Sequence, residues 1–258
     1  MLSWTELTCF LYILARMSGF VFFNPILGRK NIPKTLQTGL VMVLSVFVFS
    51  AMGHRGAVLP TTIAEFLLRV LLELLLGFFL GMVVQFFMFI PHFAGFLVDT
   101  QMGMTMNQIY DAGSQSNLSV TGEFLNLLML LLFFAGNGHH TLLRVLITSG
   151  QIVPYGQIAI GPSAIDAMLG LFVECTLLAL KLAMPILAAE LVGQLGMGLL
   201  MKAIPQINVF SINIELKVII GVLLLLLMIA PFSEFLLTAE MEMLDSMQSI
   251  LALTAATG

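Results

Sequence analysis

Residues 63–90 are apolar except for Glu65, Arg69, Glu73 and Gln85. As a helix, a run of this length exceeds the roughly 30 Å hydrocarbon core of a bilayer. Further apolar segments occupy residues 4–23, 36–52, 124–136, 168–193 and 218–231, about six in all. Only 9% of the residues are charged against 59% hydrophobic, whereas soluble domains carry about 25% charge. So few polar side chains cannot cover a water-facing surface. The chain therefore reads as all-α, an integral membrane or membrane-complex protein built of helical hairpins whose apolar segments are interrupted by Pro and Gly.

The charges that remain are informative because each is costly against lipid. Arg16 falls near the middle of the first segment, where it either turns toward protein or water or snorkels to an interface. Glu65, Arg69 and Glu73 are spaced i, i+4, i+8, an acid–base–acid ladder on one helical face. The ladder either pairs and turns toward protein or sits on an exposed turn at the membrane surface. Glu174 and Lys181 share a face of the fifth segment. These six are the candidate buried charges or subunit contacts. Gly77 and Gly81 make a GxxxG packing face, and Ala94-Gly95 is a second small-residue pair. Pro91 is expected to kink or end the third segment and Pro185 to break the fifth. Gly193, Gly196 and Gly198 are expected to mark a flexible or closely packed region, ahead of a polar connector over residues 202–217.

Residues 99–121 contrast with everything around them. They are polar, contain Gly103 and Gly113, place Met102, Met104 and Met106 at alternate positions, and include no Lys or Arg. Such a stretch is either an exposed connector or a segment that lines or closes a water-filled path. The chain then divides into N-terminal helices (1–98), this loop (99–121), C-terminal helices (122–231) and an amphipathic acidic tail (232–258), all within one membrane domain. Charge placement leaves the loop's side open. The Arg29, Lys30 and Lys34 connector reads as cytoplasmic by the positive-inside rule. Counting single crossings puts the loop on that same side, while its lack of positive charge argues for the other. A hairpin turning back near Pro91, or a complex assembled in an unusual way, would reconcile the two.

Chemistry is sparse. The net charge is −4, and nothing suggests nucleic-acid binding. Cys9 and Cys175 sit in apolar runs and read as core residues. The first apolar segment lacks a signal-peptide pattern and is expected to stay in the mature protein. His139 and His140 are adjacent, so on a helix they diverge by about 100° and read as a helix-end pair rather than a metal pair. No nucleophile elbow, phosphate loop or dinucleotide fingerprint occurs, so no catalytic residue, cofactor or metal is expected and the chain reads as a non-enzyme. A stand-alone small-solute or ion transporter fits the interrupted helices and intramembrane charge, although no matching halves are visible.

Four stretches carry a resemblance in order along the chain: Arg16 followed by Pro25-Ile26-Leu27-Gly28-Arg29-Lys30-Asn31-Ile32-Pro33; Ala94-Gly95 through Asp99-Thr100-Gln101-Met102-Gly103; Asn137-Gly138-His139-His140; and Ala203-Ile204-Pro205-Gln206-Ile207-Asn208. Together they resemble the FliR family of flagellar type III secretion export-gate proteins, which is related to the injectisome T subunits. Within them Pro25, Pro33, Asp99, Asn137, Gly138, His139, His140, Pro205, Gln206 and Asn208 are candidate structural motif residues. The chain has Asp111-Ala112 where the family usually shows Asp-Pro. The resemblance implies a bacterial inner-membrane subunit of the flagellar basal body that assembles with FliP and FliQ, meets FlhB and passes unfolded flagellar export substrates. It also implies that the loop corresponding to the polar stretch helps to plug the channel. Met102, Gly103, Met104, Met106, Asn107, Ile109, Asp111 and Gly113 are then the candidate plug or seal residues, with methionines for adaptable packing and glycines for backbone freedom. The equivalent injectisome subunit is the alternative within the same family.

Overall fold

Apolar length sets the helices, and the breaks fall where the backbone leaves the helical region. The computed structural model describes residues 4–29, 32–52, 59–104, 119–158, 160–203 and 209–256. Eight helices are found among them: α1 Trp4–Phe23, α2 Lys34–Met52, α3 Ile63–Met102, α4 Val120–Ala135, α5 Gly138–Ile152, α6 Pro162–Ala203, α7 Val209–Leu227 and α8 Ile229–Ala256. The described residues contain no strand. α1, α2, α3 and α6 are each long and apolar enough to cross a membrane. The pairs α4–α5 and α7–α8, bent by 69° and 62°, each meet the same test as one broken span, giving up to six. The all-α membrane architecture expected from the apolar runs is the one observed.

Several boundaries differ from the sequence reading. Pro91 lies inside α3 and does not end it, so no hairpin turns back there. Pro185 likewise lies inside α6, which continues through Gly193, Gly196 and Gly198 to Ala203. Buried Leu182, Ala183 and Ile186 flank Pro185, and packing of this kind lets long apolar helices tolerate a missing backbone donor. The last break falls at Met228, and Pro231 opens α8 rather than closing the helix before it, where a residue without an N–H loses nothing. α5, unmarked in the sequence reading, starts from Asn137, whose φ of 60° turns the chain out of α4. In α8 the buried residues Leu236, Ala239, Met243, Met247, Ile250 and Thr254 form one stripe, while Glu234, Glu242 and Asp245 are exposed. That is the amphipathic pattern of the acidic tail, except that Glu240 lies on the buried side.

The chain forms two compact units. One comprises Met1–Phe87, Asn137–Val173 and Glu240–Gly258, the other Met88–Gly136 and Glu174–Ala239. In the first, glycines bring α1 and α3 into backbone contact. A Cβ on Gly77 would strike the Arg16 carbonyl, one on Gly19 would strike the Leu74 carbonyl, and one on Gly81 would lie 3.1 Å from the Phe23 carbonyl carbon. In the second, Gly95 of α3 meets the backbone of Gly122 in α4, with no room for a Cβ. Both small-residue faces read from the sequence therefore serve as close helix contacts.

Candidate functional site

Close approach of α1 and α3 places Arg16 beside Glu73. Arg16 Nε donates to Glu73 Oε2 at 2.7 Å, and both side chains are 0% exposed. The remaining guanidinium donors reach α5 and the turn after it: Nη1 donates to Ser149 Oγ and Nη2 to the Val153 carbonyl, each at 3.1 Å. The Tyr155 ring covers the guanidinium face at 4.2 Å, an aromatic contact favourable to a cation. Burial pushes the Tyr155 phenol pKa up, so the hydroxyl keeps its proton and the ring remains a neutral cover. Glu73 Oε1 accepts from the Gly156 amide at 2.7 Å, and Arg69 Nη1 donates to the Gly156 carbonyl at 2.9 Å. Gly156 has φ 80° and faces the Tyr12 ring.

This arrangement chooses between the alternatives for Arg16: it turns inward and does not snorkel. The ladder reading needs a correction. Arg69 pairs with Glu65 as expected, but Glu73 pairs with Arg16, because the glycine contact brings α1 within reach of Glu73. Glu65, in the first turn of α3, also accepts from the Thr61 amide and hydroxyl just ahead of the helix, reaching back much as the acid of a capping box does. Glu174 and Lys181 are exposed. They are not buried charges of this chain.

The second cluster lies where the polar stretch leaves and re-enters the helices. α3 runs through Asp99 and ends at Gly103, which has φ 80°. The Gly103 amide donates to the Thr100 carbonyl and the Met104 amide to the Asp99 carbonyl, which is the Schellman helix stop. Asp99 is buried, and its carboxylate accepts from Ser119 Oγ at 2.6 Å and from the Thr121 amide at 3.2 Å. Ser119 in turn caps α4 by accepting from the Gly122 amide at 2.9 Å. A carboxylate at this point also meets the positive end of the α4 dipole. The chain therefore departs at Met104 and returns at Ser119 on the two sides of one carboxylate. Met102 is fully buried, and a Cβ on Gly221 of α7 would run into its side chain. It is a core residue of the chain, which removes it from the free plug side chains. Gly103 and Met104 are half-buried. Met106, Asn107, Ile109, Asp111 and Gly113 lie outside the described residues, as do Pro205, Gln206 and Asn208.

The remaining motif positions shape turns. Asn24 is buried and its Oδ1 accepts from the Ile26 and Leu27 amides, so the chain around Pro25 is a closed turn. The Pro33 carbonyl accepts from the Leu36 and Gln37 amides and opens α2. The Gln37 side chain donates back to the Arg29 carbonyl. His139 and His140 stand in the first turn of α5 after Asn137 and Gly138, their ring centroids 4.2 Å apart. The pair sits at a helix end as expected, though the rings lean together instead of diverging. The sequence reading missed Ser149, Val153, Tyr155 and Gly156 entirely. Its only available signal was Gly156, in a proline- and glycine-containing turn.

The pattern of the family described as bacterial export proteins, family 1, matches residues 7–243. Among similar proteins, the flagellar biosynthetic protein FliR of Escherichia coli (strain K12) is 29% identical, over 98% of this chain and 96% of its own length. The FliR protein of Aquifex aeolicus (strain VF5) is 31% identical over 82% of this chain and 81% of its own. The Yop proteins translocation protein T of Yersinia pestis is 28% identical over 83% of each chain.

Proposed function

The chain belongs to the bacterial export proteins, family 1, and from that premise we propose that it is the export-gate subunit of a flagellar type III apparatus. As a membrane component of an export apparatus it has counterparts in flagellar and Yop export. In the finer reading it resides in the inner membrane at the flagellar basal body and assembles with FliP and FliQ into a channel for unfolded flagellar substrates. FlhB meets it near the cytoplasmic entrance. Residues 103–118 close the channel between substrates. Met104, Met106 and Ile109 supply apolar surface able to reseal around a passing chain, and glycine at 103 and 113 leaves the backbone free of a restricting side chain.

The observation that supports the closing role is the tied foot of that segment: Asp99 binds Ser119 and Thr121 across twenty residues. A loop whose ends are fixed together can move at its tip without disturbing the helices that carry it. Deleting residues 104–116 in cells with the complete apparatus tests this. Ion conductance is expected to rise while export continues. Unchanged conductance with normal export would remove the plug role. Co-purification of FliP and FliQ with this chain tests assembly. Solute transport by the chain alone in liposomes would replace the gate with a carrier. The likeness to the Yop translocation protein favours one second reading, an injectisome gate subunit, which complementation of flagellar and injectisome null strains separates.

A further inference from the structure

From Glu215 to Leu227 the helix α7 is largely leucine, isoleucine and valine, yet the single residue of that stretch that the chain buries is Gly221. Its neighbours Ile219, Val222 and Leu223 are exposed. What covers the glycine is Met102, the last residue of α3, in the same compact unit. A Cβ at Gly221 would lie 2.8 Å from both Cγ and Sδ of Met102 and would strike its terminal methyl. Carbon atoms reach favourable contact at about 3.5–4.0 Å, so nothing larger than glycine fits beneath this side chain. Met102 is fully buried where it stands, so yielding means leaving the seat.

We infer that Met102 is a positioning residue for the closing segment: seated on Gly221, it sets the end of α3 against α7. The inference rests on the closing role proposed above. One residue beyond Met102 the chain turns left-handed at Gly103, where the Gly103 and Met104 amides are bound back to the Thr100 and Asp99 carbonyls. Asp99 ties the same turn to α4. The end of α3 is therefore held on two sides, to α4 by a carboxylate and to α7 by the fit of one side chain. A knob in a glycine gap is in or out, because close-packed contacts switch rather than stretch. Turning α7 by one residue, about 100°, would replace the gap by the β-branched Ile220 or Val222 and expel Met102. Methionine suits such a seat, since an unbranched, flexible side chain can leave and re-enter. A movement of α7 thus reaches the point from which the polar segment departs.

The test uses the full chain assembled with the rest of its apparatus. Gly221→Ala and Met102→Ala each empty the seat, the first by expelling the side chain and the second by removing it. In the purified complex, hydrogen exchange at the Gly103 and Met104 amides should accelerate about tenfold in either variant, with the Gly156 amide unchanged as the control. In the Met102→Ala background Gly221→Ala should add nothing, because the atoms it would strike are gone. In cells, either variant should raise ion conductance while export and the amount of membrane protein stay unchanged, a readout that loosened packing alone does not move. If the Gly221→Ala chain fails to accumulate, Met102→Ala, a simple truncation, carries the same measurements. Unchanged exchange, or additive effects of the two substitutions, would overturn the inference. So would faster exchange with unchanged conductance, and the deletion of residues 104–116 then separates the causes. If that deletion raises conductance, the closing role stands without Met102; if it does not, both fall.

Discussion

The Arg16–Glu73 centre and the Asp99 foot are built by the same device and reach opposite electrostatic outcomes. In each, glycine lets two helix backbones touch: Gly77 against α1 and Gly95 against α4. In each, a carboxylate on α3 four residues from that glycine accepts from a backbone amide distant in the chain, Gly156 in the turn after α5 for Glu73 and Thr121 in the first turn of α4 for Asp99. Glu73 has a cation within 2.7 Å and is sealed from solvent with it. Asp99 is bound by a hydroxyl and an amide and pairs with no cation among the described residues. The first is a staple that ties α1, α3 and the end of α5 together through a buried ion pair and its hydrogen bonds. The second holds two helix ends by neutral donors, which can exchange for water when the ends part. Under the gate reading proposed above, the first would serve as frame and the second as the point that gives.

The largest effect expected is from Arg16→Ala, which leaves Glu73 buried without its cation. Loss of one partner from a buried pair costs about 3–5 kcal/mol, read as a fall in unfolding free energy of the purified protein in detergent. Replacing both members, Arg16→Met with Glu73→Leu, should recover most of the loss, because neither charge then needs solvating. A double variant as unstable as the single would mean that the contacts to Ser149, Val153 and Gly156 matter more than neutralisation.

Asp99→Ala should have a smaller and more local effect. Hydrogen bonds to a charged group contribute about 1.5–3 kcal/mol, and α4 would lose the one at Thr121 while Ser119 kept its cap to Gly122. Hydrogen exchange should accelerate at the amides of Thr121 and Gly122 and stay unchanged at Gly156. Acceleration at all three would erase the distinction between staple and foot. If the foot also carries the plug, the same variant should raise ion conductance without lowering the amount of protein in the membrane.

How much of this was legible depended on contrast. In an apolar background Arg16, Arg69 and Glu73 stood out at once, and so did the glycine spacing that brings them together. Their partners did not. Ser149 and Val153 lie more than a hundred residues from Arg16 and have ordinary polarity, so nothing local marks them. Asp99 was misleading for a different reason. Polar composition begins there, suggesting that the helix had ended, yet a helix stops where its backbone can turn left-handed, and that is at Gly103. The prolines of α3 and α6 were over-weighted because soluble-helix rules count a missing donor against water. Packed apolar neighbours change that comparison.

The smallest effect, and the finest test of the comparison, lies in the two left-handed glycines. Gly156 in the staple and Gly103 at the foot share a φ of 80°, so alanine at either should cost about 1–2 kcal/mol from the backbone alone. Their surroundings differ. A Cβ at Gly156 would lie 2.9 Å from Tyr12 Cε2, while one at Gly103 meets nothing within 4 Å. Gly156→Ala should therefore destabilise more than Gly103→Ala in the same unfolding measurement, and Gly103→Asn should be close to the unsubstituted protein because asparagine accepts this conformation. Equal losses at the two glycines would mean that the Tyr12 side of the staple yields as easily as open space. The contrast between a rigid centre and a releasable foot would then rest on charge alone.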